Sequence, residues 1–537
     1  MAVYEVVIAT IFTGVALWLV HRRRIAPFRN IPGPPSASFA TGNLMQMYGM
    51  FASDFRKELT SRYGRVVKLS GLLEEPILVV SDPKALSHML VKDQDIFEES
   101  ELIHEFSRLI FGPGLMASRS PEQHRKQRKL ISPAFSTANM RQITPLIQSL
   151  MSQLQGILRE QVADGPKEID ILDWMSRLAL EAIAQGGMGH TFGALEGKND
   201  EYGRAVKQTM STFAKVQMAA VFLPFVTRYG SPSVLRWLAE RAPSQALRDM
   251  VKISDTLDRK SREVLERKRA LFAQGDDMAV NQIGGGKDLM SILLKANNAV
   301  NEEDRLPDDE LVGQATTLLF AGTDTTSSLL ARIIWMLAKH PGIQDKLREE
   351  LREAEAGSGE LNCDELFNLP YLEAVCKETL RLEPSGQVVQ RVCRREYVLP
   401  LEFPVTGVDG SIIHELVVPK GVEFVVDILG VNRDPTIWGP DAAEWKPERW
   451  LSPSTEVKVQ VPGVYANTLT FLGGGRSCIG MNFALLEIKV VMAQLISVFR
   501  FTPSDKEIAW QTGSVVSPMV KDSADDKTCL PVIMSLV

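Results

Sequence analysis

One cysteine follows a glycine-rich turn in the stretch Phe471-Leu472-Gly473-Gly474-Gly475-Arg476-Ser477-Cys478-Ile479-Gly480. The apolar segment Met481 to Val498 follows and is predicted to be a helix. Backbone N–H groups of the turn and the positive end of this helix are expected to lower the pKa of the thiol. Cys478 is therefore a candidate nucleophile or metal ligand.

Three kinds of chemistry can use such a cysteine. A nucleophile needs a histidine base, and none of the seven histidines lies in a plausible partner motif. Zinc needs further cysteines or histidines at ligand spacing, and none lie near Cys478. A haem iron needs only one axial thiolate, which this sequence offers.

The same stretch resembles the haem-binding signature Phe-x-x-Gly-x-Arg-x-Cys-x-Gly of the cytochrome P-450 family. It meets that pattern at Phe471, Gly474, Arg476, Cys478 and Gly480. The resemblance implies that Cys478 ligates the iron of haem b and that Phe471 and Gly480 help to bind the haem. A thiolate in this position donates electron density that favours O–O cleavage.

A second motif, Ala321-Gly322-Thr323-Asp324-Thr325-Thr326, lies midway along a long apolar helix predicted for residues 307–339. It resembles the family's oxygen-activation motif, which implies that Asp324 and Thr325 deliver protons and that Ala321 and Gly322 lie beside the haem. A mid-helix glycine costs roughly 1 kcal/mol relative to alanine. Gly322 is interpreted either as a packing glycine or as leaving room for dioxygen and water.

Two shorter motifs agree with this assignment in order and spacing. Glu378-Thr379-Leu380-Arg381 matches the family's Glu-x-x-Arg, which places acid and base on one helical face. Pro447-Glu448-Arg449-Trp450 resembles the Pro-Glu-Arg-Phe box, with tryptophan as the aromatic plug. The resemblance implies that Glu378, Arg381 and Arg449 form a buried structural network that holds the loop bearing Cys478.

The two propionates of haem need cationic partners when they are buried. The resemblance assigns this role to Arg476, Arg391 and Arg128. His124 stands where the family usually has tryptophan, and we include it among the haem-binding candidates. Alternatively, the basic segment 124–129 is a solvated helix face or a docking surface for a partner.

The N-terminal residues 2–20 are almost all apolar, and His21-Arg22-Arg23-Arg24 follows at once. A helix of about 19 residues spans roughly 28 Å, close to the hydrocarbon core of a bilayer. Residues 1–24 are therefore predicted to be an uncleaved single-pass anchor with basic flank, and the body is placed in the cytosol. A cleaved signal peptide and a buried core helix are the alternatives. The proline-rich residues 25–40 are predicted to form a stiff, extended hinge, or else an ordinary surface loop.

Residues 41–537 are predicted to form one haem-thiolate catalytic domain that is mainly α with a small β portion (α+β), and the resemblance implies the cytochrome P-450 fold. Strand signals occur at 66–69, 76–80 and 396–428, whereas a helical period dominates 141–162 and 244–272. Residues 275–286 are predicted to be a polar surface loop. The formal net charge of −6 includes no basic excess, which argues against a nucleic-acid partner.

The resemblance implies a monooxygenase of the microsomal type, anchored in the endoplasmic reticulum membrane. No dinucleotide-binding motif follows a strand, so electrons from NADPH are expected to arrive through a separate membrane-bound flavoprotein reductase. Arg125, Lys126 and Lys129 are candidates for contacting that reductase.

Positions that line the family's pocket are apolar in this sequence, which predicts a lipophilic substrate such as a terpenoid or other secondary metabolite. The general pattern resembles fungal members of the family that tailor secondary metabolites. The positions are Phe106, Ile110, Phe111, Phe320, Ala321, Thr325, Val388, Val389 and Val516. Two alternatives remain, a haem-thiolate isomerase or dehydratase that needs no external electrons and a non-catalytic haem-binding sensor or carrier. The Asp324–Thr325 pair favours the oxygenase.

Overall fold

The computed structural model describes residues 26–198, 201–220, 223–273, 286–451, 459–513, 515–523 and 527–537. The chain forms two compact units, each assembled from separated segments of sequence. The first unit comprises the described residues up to Ser100, then Gly386–Glu444 and the stretch that ends at Ser477. The second comprises Glu101–Ser385, the short stretch that begins at Trp445, and Cys478–Val537. The predicted anchor (1–24) and nearly all of the predicted polar loop lie outside the described residues.

Strands occur in both units and are named in chain order. They are β1 (Val66–Ser70), β2 (Pro76–Val80), β3 (Phe97–Glu98), β4 (Lys167–Asp170), β5 (Val388–Cys393), β6 (Tyr397–Thr406), β7 (Ile412–Val418), β8 (Glu423–Asp427), β9 (Phe499–Pro503), β10 (Ile508–Gln511), β11 (Ser517–Val520) and β12 (Pro531–Leu536). The strand signals at 66–69, 76–80 and 396–428 are confirmed.

Helices make up most of the described chain, so the expected α-rich class with a small β portion is confirmed. They are α1 (Leu44–Tyr48), α2 (Ala52–Tyr63), α3 (Pro83–Ser87), α4 (Glu101–Phe111), α5 (Pro121–Ile131), α6 (Thr137–Gln161), α7 (Ile171–Met188), α8 (Glu201–Ala220), α9 (Leu223–Tyr229), α10 (Pro232–Arg241), α11 (Gln245–Ala273), α12 (Leu289–Ala299), α13 (Asp308–Lys339), α14 (Pro341–Ser358), α15 (Cys363–Phe367), α16 (Pro370–Leu382), α17 (Ile428–Asn432), α18 (Pro435–Trp438) and α19 (Met481–Val498).

The first unit is organised around a five-stranded sheet in the order β1-β2-β8-β5-β3. Strands β2 and β8 are parallel, while the other neighbours in this sheet are antiparallel. One face packs against α1 and α2, because Val67, Leu69 and Val79 join Met47 and Leu59 in a buried apolar cluster. Burying such aliphatic side chains contributes about 1.5–3 kcal/mol each. This sheet carries Arg391 on β5 and Glu98 on β3.

The proline-rich segment is part of the first unit. Ile31 is 2% exposed, and the carbonyl of Pro32 accepts a 2.9 Å hydrogen bond from the N–H of Lys68 in β1. A Cβ added to Gly33 would lie 1.9 Å from the carbonyl oxygen of Lys68, so only glycine permits this approach. Residues 31–33 are therefore docked along β1, and the hinge role of residues 25–40 stays a prediction.

The second unit is built around α13, which begins and ends close to its predicted bounds. Three acidic residues, Asp308, Asp309 and Glu310, occupy its first turn and Lys339 its last, an arrangement that complements the helix dipole. Its apolar middle packs against α7. Two small sheets, β4-β12-β9 and β10-β11, complete this unit.

Helix α19 follows Cys478 directly, as predicted. Among the described residues, α19 is the one helix that is both long enough and apolar enough to cross a bilayer. However, 67% of this 18-residue helix is buried inside the protein. Leu486, Val491 and Leu495 are each fully buried. We therefore interpret α19 as a core helix of the second unit.

Candidate active site

Cys478 lies in the short link between a 3-10 turn, Gly474–Arg476, and the start of α19. Its side chain is exposed, so a ligand can approach the sulfur. Although the side chain is exposed, the protein atoms packed around the sulfur desolvate the thiolate and raise the pKa of the thiol. The backbone N–H of Gly480 and the charge of Arg128 lower this pKa. The expectation of a lowered thiol pKa is therefore wrong for the protein alone, because desolvation outweighs both favourable interactions. A bound metal cation would supply the missing stabilisation of the thiolate.

The glycines before Cys478 are required by close backbone contacts within the first unit. Gly474 has φ +68°, and a Cβ there would lie 1.8 Å from the carbonyl oxygen of Leu90. The neighbouring Gly475 donates its N–H to the side-chain oxygen of Gln94 at 2.8 Å. The segment that holds both contacts includes a π-helical turn, His88–Lys92, a feature often found at functional sites. Contacts with Leu90 and Gln94 thus fix the conformation of the turn, and only glycine fits at position 474.

Gly480, in the second unit, has no close contact at its Cβ position, in contrast to Gly474. Its φ of −85° is ordinary, and the nearest protein atom to an added Cβ would be a ring carbon of Phe135 at 3.9 Å. The protein's own atoms therefore leave room next to this residue, two positions after the sulfur. Space beside Gly480 and an accessible sulfur at Cys478 are what a large planar group ligated by the thiolate requires, so the residues present fit haem.

Phe471 is buried and stacks edge-on against Tyr465, with ring centroids 5.8 Å apart. The structure thus places Phe471 in the packing of the loop in the first unit. Among the described residues, no group of three or more histidine, cysteine, aspartate or glutamate side chains has the arrangement of a metal site.

The three arginines predicted for the propionates lie in different surroundings. Arg391 is buried on β5, and Arg476 is partly buried in the turn before Cys478. Both contact the carboxylate of Glu99, at 3.9 Å from Arg391 and 3.0 Å from Arg476. Arg128 lies on α5 in the second unit, near enough to Cys478 for its charge to lower the thiol pKa. His124 is buried one helical turn before Arg128.

The Glu378 network is present in the second unit as a fully buried cluster. The carboxylate of Glu378 accepts two hydrogen bonds from Arg381, at 2.7 and 2.9 Å, and both side chains are inaccessible to solvent. Arg449 approaches the same carboxylate at 3.4 Å, and the N–H of Lys446 donates to it at 3.0 Å. The indole N–H of Trp450 is a further donor at 3.0 Å. Tryptophan in the place of the usual phenylalanine therefore adds a hydrogen bond as well as an aromatic plug.

Asp324 lies on α13 in surroundings that disfavour the charged form of its carboxyl group. Burial raises its pKa to about 6, and the positive charge of Lys207 on α8 opposes this shift. Lys207 itself forms a 3.0 Å ion pair with Asp173. The next residue, Thr325, is exposed and donates its hydroxyl to the carbonyl of Ala321 at 2.7 Å. The carbonyl of Thr325 accepts from the hydroxyl of Ser385 at 3.1 Å.

Gly322 has a packing role. A Cβ at this position would lie 2.8 Å from Cγ1 of Ile183 on α7, closer than real Cβ contacts allow. The interpretation that this glycine leaves room for dioxygen and water is therefore wrong, because the side-chain position is occupied by the neighbouring helix. The packing interpretation accounts for the residue.

Four phenylalanines from three helices cluster close to Asp324. Phe111 packs against Phe320 with ring centroids 4.4 Å apart, and Phe106 packs against Phe213 with centroids 4.1 Å apart, both pairs being tilted. Phe106 and Phe111 also meet edge-on at 6.1 Å, which joins the two pairs. Phe320 precedes Asp324 by one helical turn. Sequence reasoning named three of these rings and missed Phe213, which lies in an amphipathic helix without a motif.

The remaining pocket candidates are divided between the two units. Ile110 is buried on α4, and Val516 donates its N–H to the carbonyl of Ser385 at 2.9 Å, both in the second unit. Val388 and Val389 lie on β5 in the first unit, paired with Asp427 and Val426.

Comparison with known proteins agrees with this geometry. The sequence model of the cytochrome P450 family matches residues 32–522. Cytochrome P450 monooxygenase 91 of Postia placenta is 45% identical over 94% of each chain. The ganoderic acid synthetase CYP5150L8 of Ganoderma lucidum is 36% identical over 98% of each chain, and the P450 monooxygenase eriI of Hericium erinaceus is 36% identical over 97% of this chain and 96% of its own. The chain therefore belongs to the cytochrome P450 family, has its helix-rich fold, and is a haem-thiolate monooxygenase, an oxidoreductase.

Proposed function

We propose that this monooxygenase oxidises a lipophilic small molecule, a terpenoid or other secondary metabolite, with O2 and with electrons from NADPH that pass through a separate membrane-bound reductase. The observation that carries this proposal is the pairing of Asp324, whose pKa is raised to about 6, with the exposed hydroxyl of Thr325 on α13. An acid that titrates near neutrality can take up and release protons at working pH. The isomerase alternative has no need for such a pair.

Haem b is the cofactor, and Cys478 is the residue that would ligate its iron. By the family's pattern, Arg128, Arg391 and Arg476 are proposed to neutralise the propionates, since a guanidinium pairs well with a carboxylate. Phe471, Gly480, Ala321 and His124 are proposed to shape the rest of the site. When bound, the haem supplies the activation of dioxygen. The Glu378–Arg381–Arg449 network is proposed to hold the segment 445–450 and thereby to support the fold around the ligand.

Asp324 and Thr325 are proposed to hold and pass protons on α13. The Thr325 hydroxyl donates to a backbone carbonyl of its own helix, which leaves its oxygen lone pairs available to accept a proton-bearing partner. Asp324 can exchange its proton with solvent because its charged and neutral forms are close in free energy near pH 6. Lys207 biases Asp324 toward the charged form.

The aromatic cluster supports an apolar substrate. Phe106, Phe111 and Phe320 offer apolar ring surfaces that contact one another, and Phe320 precedes Asp324 by one helical turn. Such a surface favours hydrocarbon skeletons over polar substrates. The name ganoderic acid synthetase, borne by a relative of 36% identity, agrees with a secondary metabolite as substrate.

The membrane and the reductase are the proposed macromolecular partners. The apolar residues 2–20 and the basic cluster after them are proposed to anchor the chain in the endoplasmic reticulum membrane, with the catalytic body in the cytosol. Arg125 and Lys129 are exposed on α5 and suit an acidic partner surface. Lys126 contributes less, because its ammonium group donates to the carbonyl of Glu303 at 2.9 Å.

The test uses membranes that contain the full chain, incubated with a panel of terpenoids and fatty acids. The complete mixture contains NADPH and a microsomal P450 reductase, and parallel mixtures lack one or the other. A product heavier by one oxygen atom that appears only in the complete mixture supports the proposal. Rearranged product without NADPH would establish the isomerase, and the oxygenase proposal would then fail. The variant Lys129→Glu should slow the reductase-dependent reduction, whereas Lys126→Glu should slow it less.

A further inference from the structure

Glu99 occupies a special position among the groups assigned to the haem propionates. Its two carboxylate oxygens are divided between two arginines, with Oε1 3.9 Å from Nη2 of Arg391 and Oε2 3.0 Å from Nη1 of Arg476. These are two of the three arginines proposed to bind the propionates. A carboxylate of the protein therefore bridges the same two guanidinium groups that a propionate carboxylate would use.

The sheet of the first unit explains why Glu99 lies there. Strand β3 pairs antiparallel with β5, with Phe97 opposite Cys393 and Glu98 opposite Val392. Continuing this register by one residue places Glu99 opposite Arg391, where cross-strand side chains of opposite charge meet. Arg476 approaches from the turn that precedes Cys478.

The electrostatics require a counter-ion at this place. The side chain of Arg391 is only 5% exposed, and burial lowers its pKa while the charge of Glu99 raises it again. Arg476 lowers the pKa of Arg391 further, as expected for two like charges close together. A buried cation without a partner carries a large desolvation cost, so one carboxylate serves both arginines.

We infer that Glu99 competes with the haem propionates for Arg391 and Arg476, and that its negative charge weakens the hold of the protein on haem. This inference rests on the proposed assignment of both arginines to the propionates. Once the propionates are present, three carboxylates share one set of cations, and the charge of Glu99 repels the other two. A negative charge near the haem also stabilises the oxidised iron relative to the reduced iron, because the oxidised iron carries the larger positive charge.

Glu98 offers a matched control. It is the preceding residue, its side chain is 18% exposed against 19% for Glu99, and its partner is Arg394 at 2.9 Å. Replacing either glutamate by glutamine keeps the shape and removes one negative charge from the same short segment. The two variants differ in whether the lost charge faces the propionate arginines.

The experiment measures the transfer of haem from the full-length holoprotein in detergent micelles to an excess of apomyoglobin, followed by the Soret band. Glu99→Gln should slow this transfer on the order of tenfold, the effect of removing one like charge from a shared site, and should raise the reduction potential of the iron. Glu98→Gln should change the transfer rate less than about twofold. Glu99→Asp, which keeps the charge, should behave nearly as the unmodified chain does.

The sign of the effect decides between two roles. If Glu99 merely supports the geometry of the arginines, Glu99→Gln will release haem faster, and the inference is overturned. Equal effects of Glu98→Gln and Glu99→Gln would overturn it as well. If Glu99→Gln does not fold, Glu99→Asp still tests the inference, because a transfer rate or reduction potential clearly different from that of the unmodified chain would contradict a role for charge. Failure of the proposed function is read separately, as the absence of a thiolate-ligated haem spectrum in the unmodified chain.

Discussion

Replacing Asp324 by asparagine should stabilise the folded protein, and the gain should grow with pH. Burial raises the pKa of this carboxyl group from 3.8 to about 6. As the pH rises, the unfolded chain therefore loses this proton before the folded chain does. Ionising the buried carboxylate then costs the folded state free energy. The penalty is absent below about pH 4, grows between about pH 4 and 6, and is complete above about pH 6.

The size of the effect follows from the same two values. A shift of about 2 pKa units corresponds to about 3 kcal/mol at pH 7.5, and only about 1.6 kcal/mol of this is present at pH 5.0. Asparagine keeps the shape of aspartate and removes the charge. Asp324→Asn should therefore raise the free energy of unfolding by up to about 3 kcal/mol at pH 7.5 and by about half as much at pH 5.0.

The assay is chemical denaturation of the full chain in detergent, followed by far-ultraviolet circular dichroism at both pH values. Asp309→Asn is the control, because this residue lies on the same helix with its side chain 74% exposed and should change stability by less than about 0.5 kcal/mol. A gain that is independent of pH, or no larger than that of Asp309→Asn, would refute the reasoning. The same variant should lose NADPH-coupled product formation, since the proposed relay needs an acid at this position.

Three other substitutions test separate parts of the account. Glu378→Gln should destabilise the protein by about 3–5 kcal/mol, because it leaves buried cations without their carboxylate, and the yield of haem-bound protein should fall with it. Gly322→Ala should cost about 1–3 kcal/mol in thermal denaturation, and adding Ile183→Ala should recover part of the loss, because the clash is with that side chain. Gly474→Ala should abolish thiolate-ligated haem in the absorption spectrum, since an added Cβ meets a backbone carbonyl at a positive φ.

Much of the fold follows from local patterns in the sequence. The structure has α13, α19, β1 and β2 close to their predicted bounds. The apolar period of the two helices and the β-branched runs of the two strands agree with the way these elements pack, so local pattern and tertiary structure favour the same conformation. The motif residues Glu378, Arg381 and Arg449 also meet as expected, although they are far apart in sequence. The spacing places Glu378 and Arg381 on one helix face, whereas their meeting with Arg449 was implied by the resemblance to the family.

Other features depend on contacts that no local pattern reveals. Glu99 meets Arg391 and Arg476 only because β3 pairs with β5. Gly322 is explained by a side chain of α7, and Gly474 by a carbonyl at Leu90. The thiol pKa of Cys478 was misjudged because sequence reasoning counts nearby donors, whereas desolvation depends on every atom packed around the sulfur.

A single spectrum shows whether Cys478 ligates the haem iron. The measurement is the reduced carbon-monoxide difference spectrum of membranes that contain the full chain, compared with membranes that contain Cys478→Ala. The account predicts a strongly red-shifted Soret band, typical of thiolate ligation, that is absent from the variant. A band typical of histidine-ligated haem, or a thiolate-type band that persists in Cys478→Ala, would contradict it.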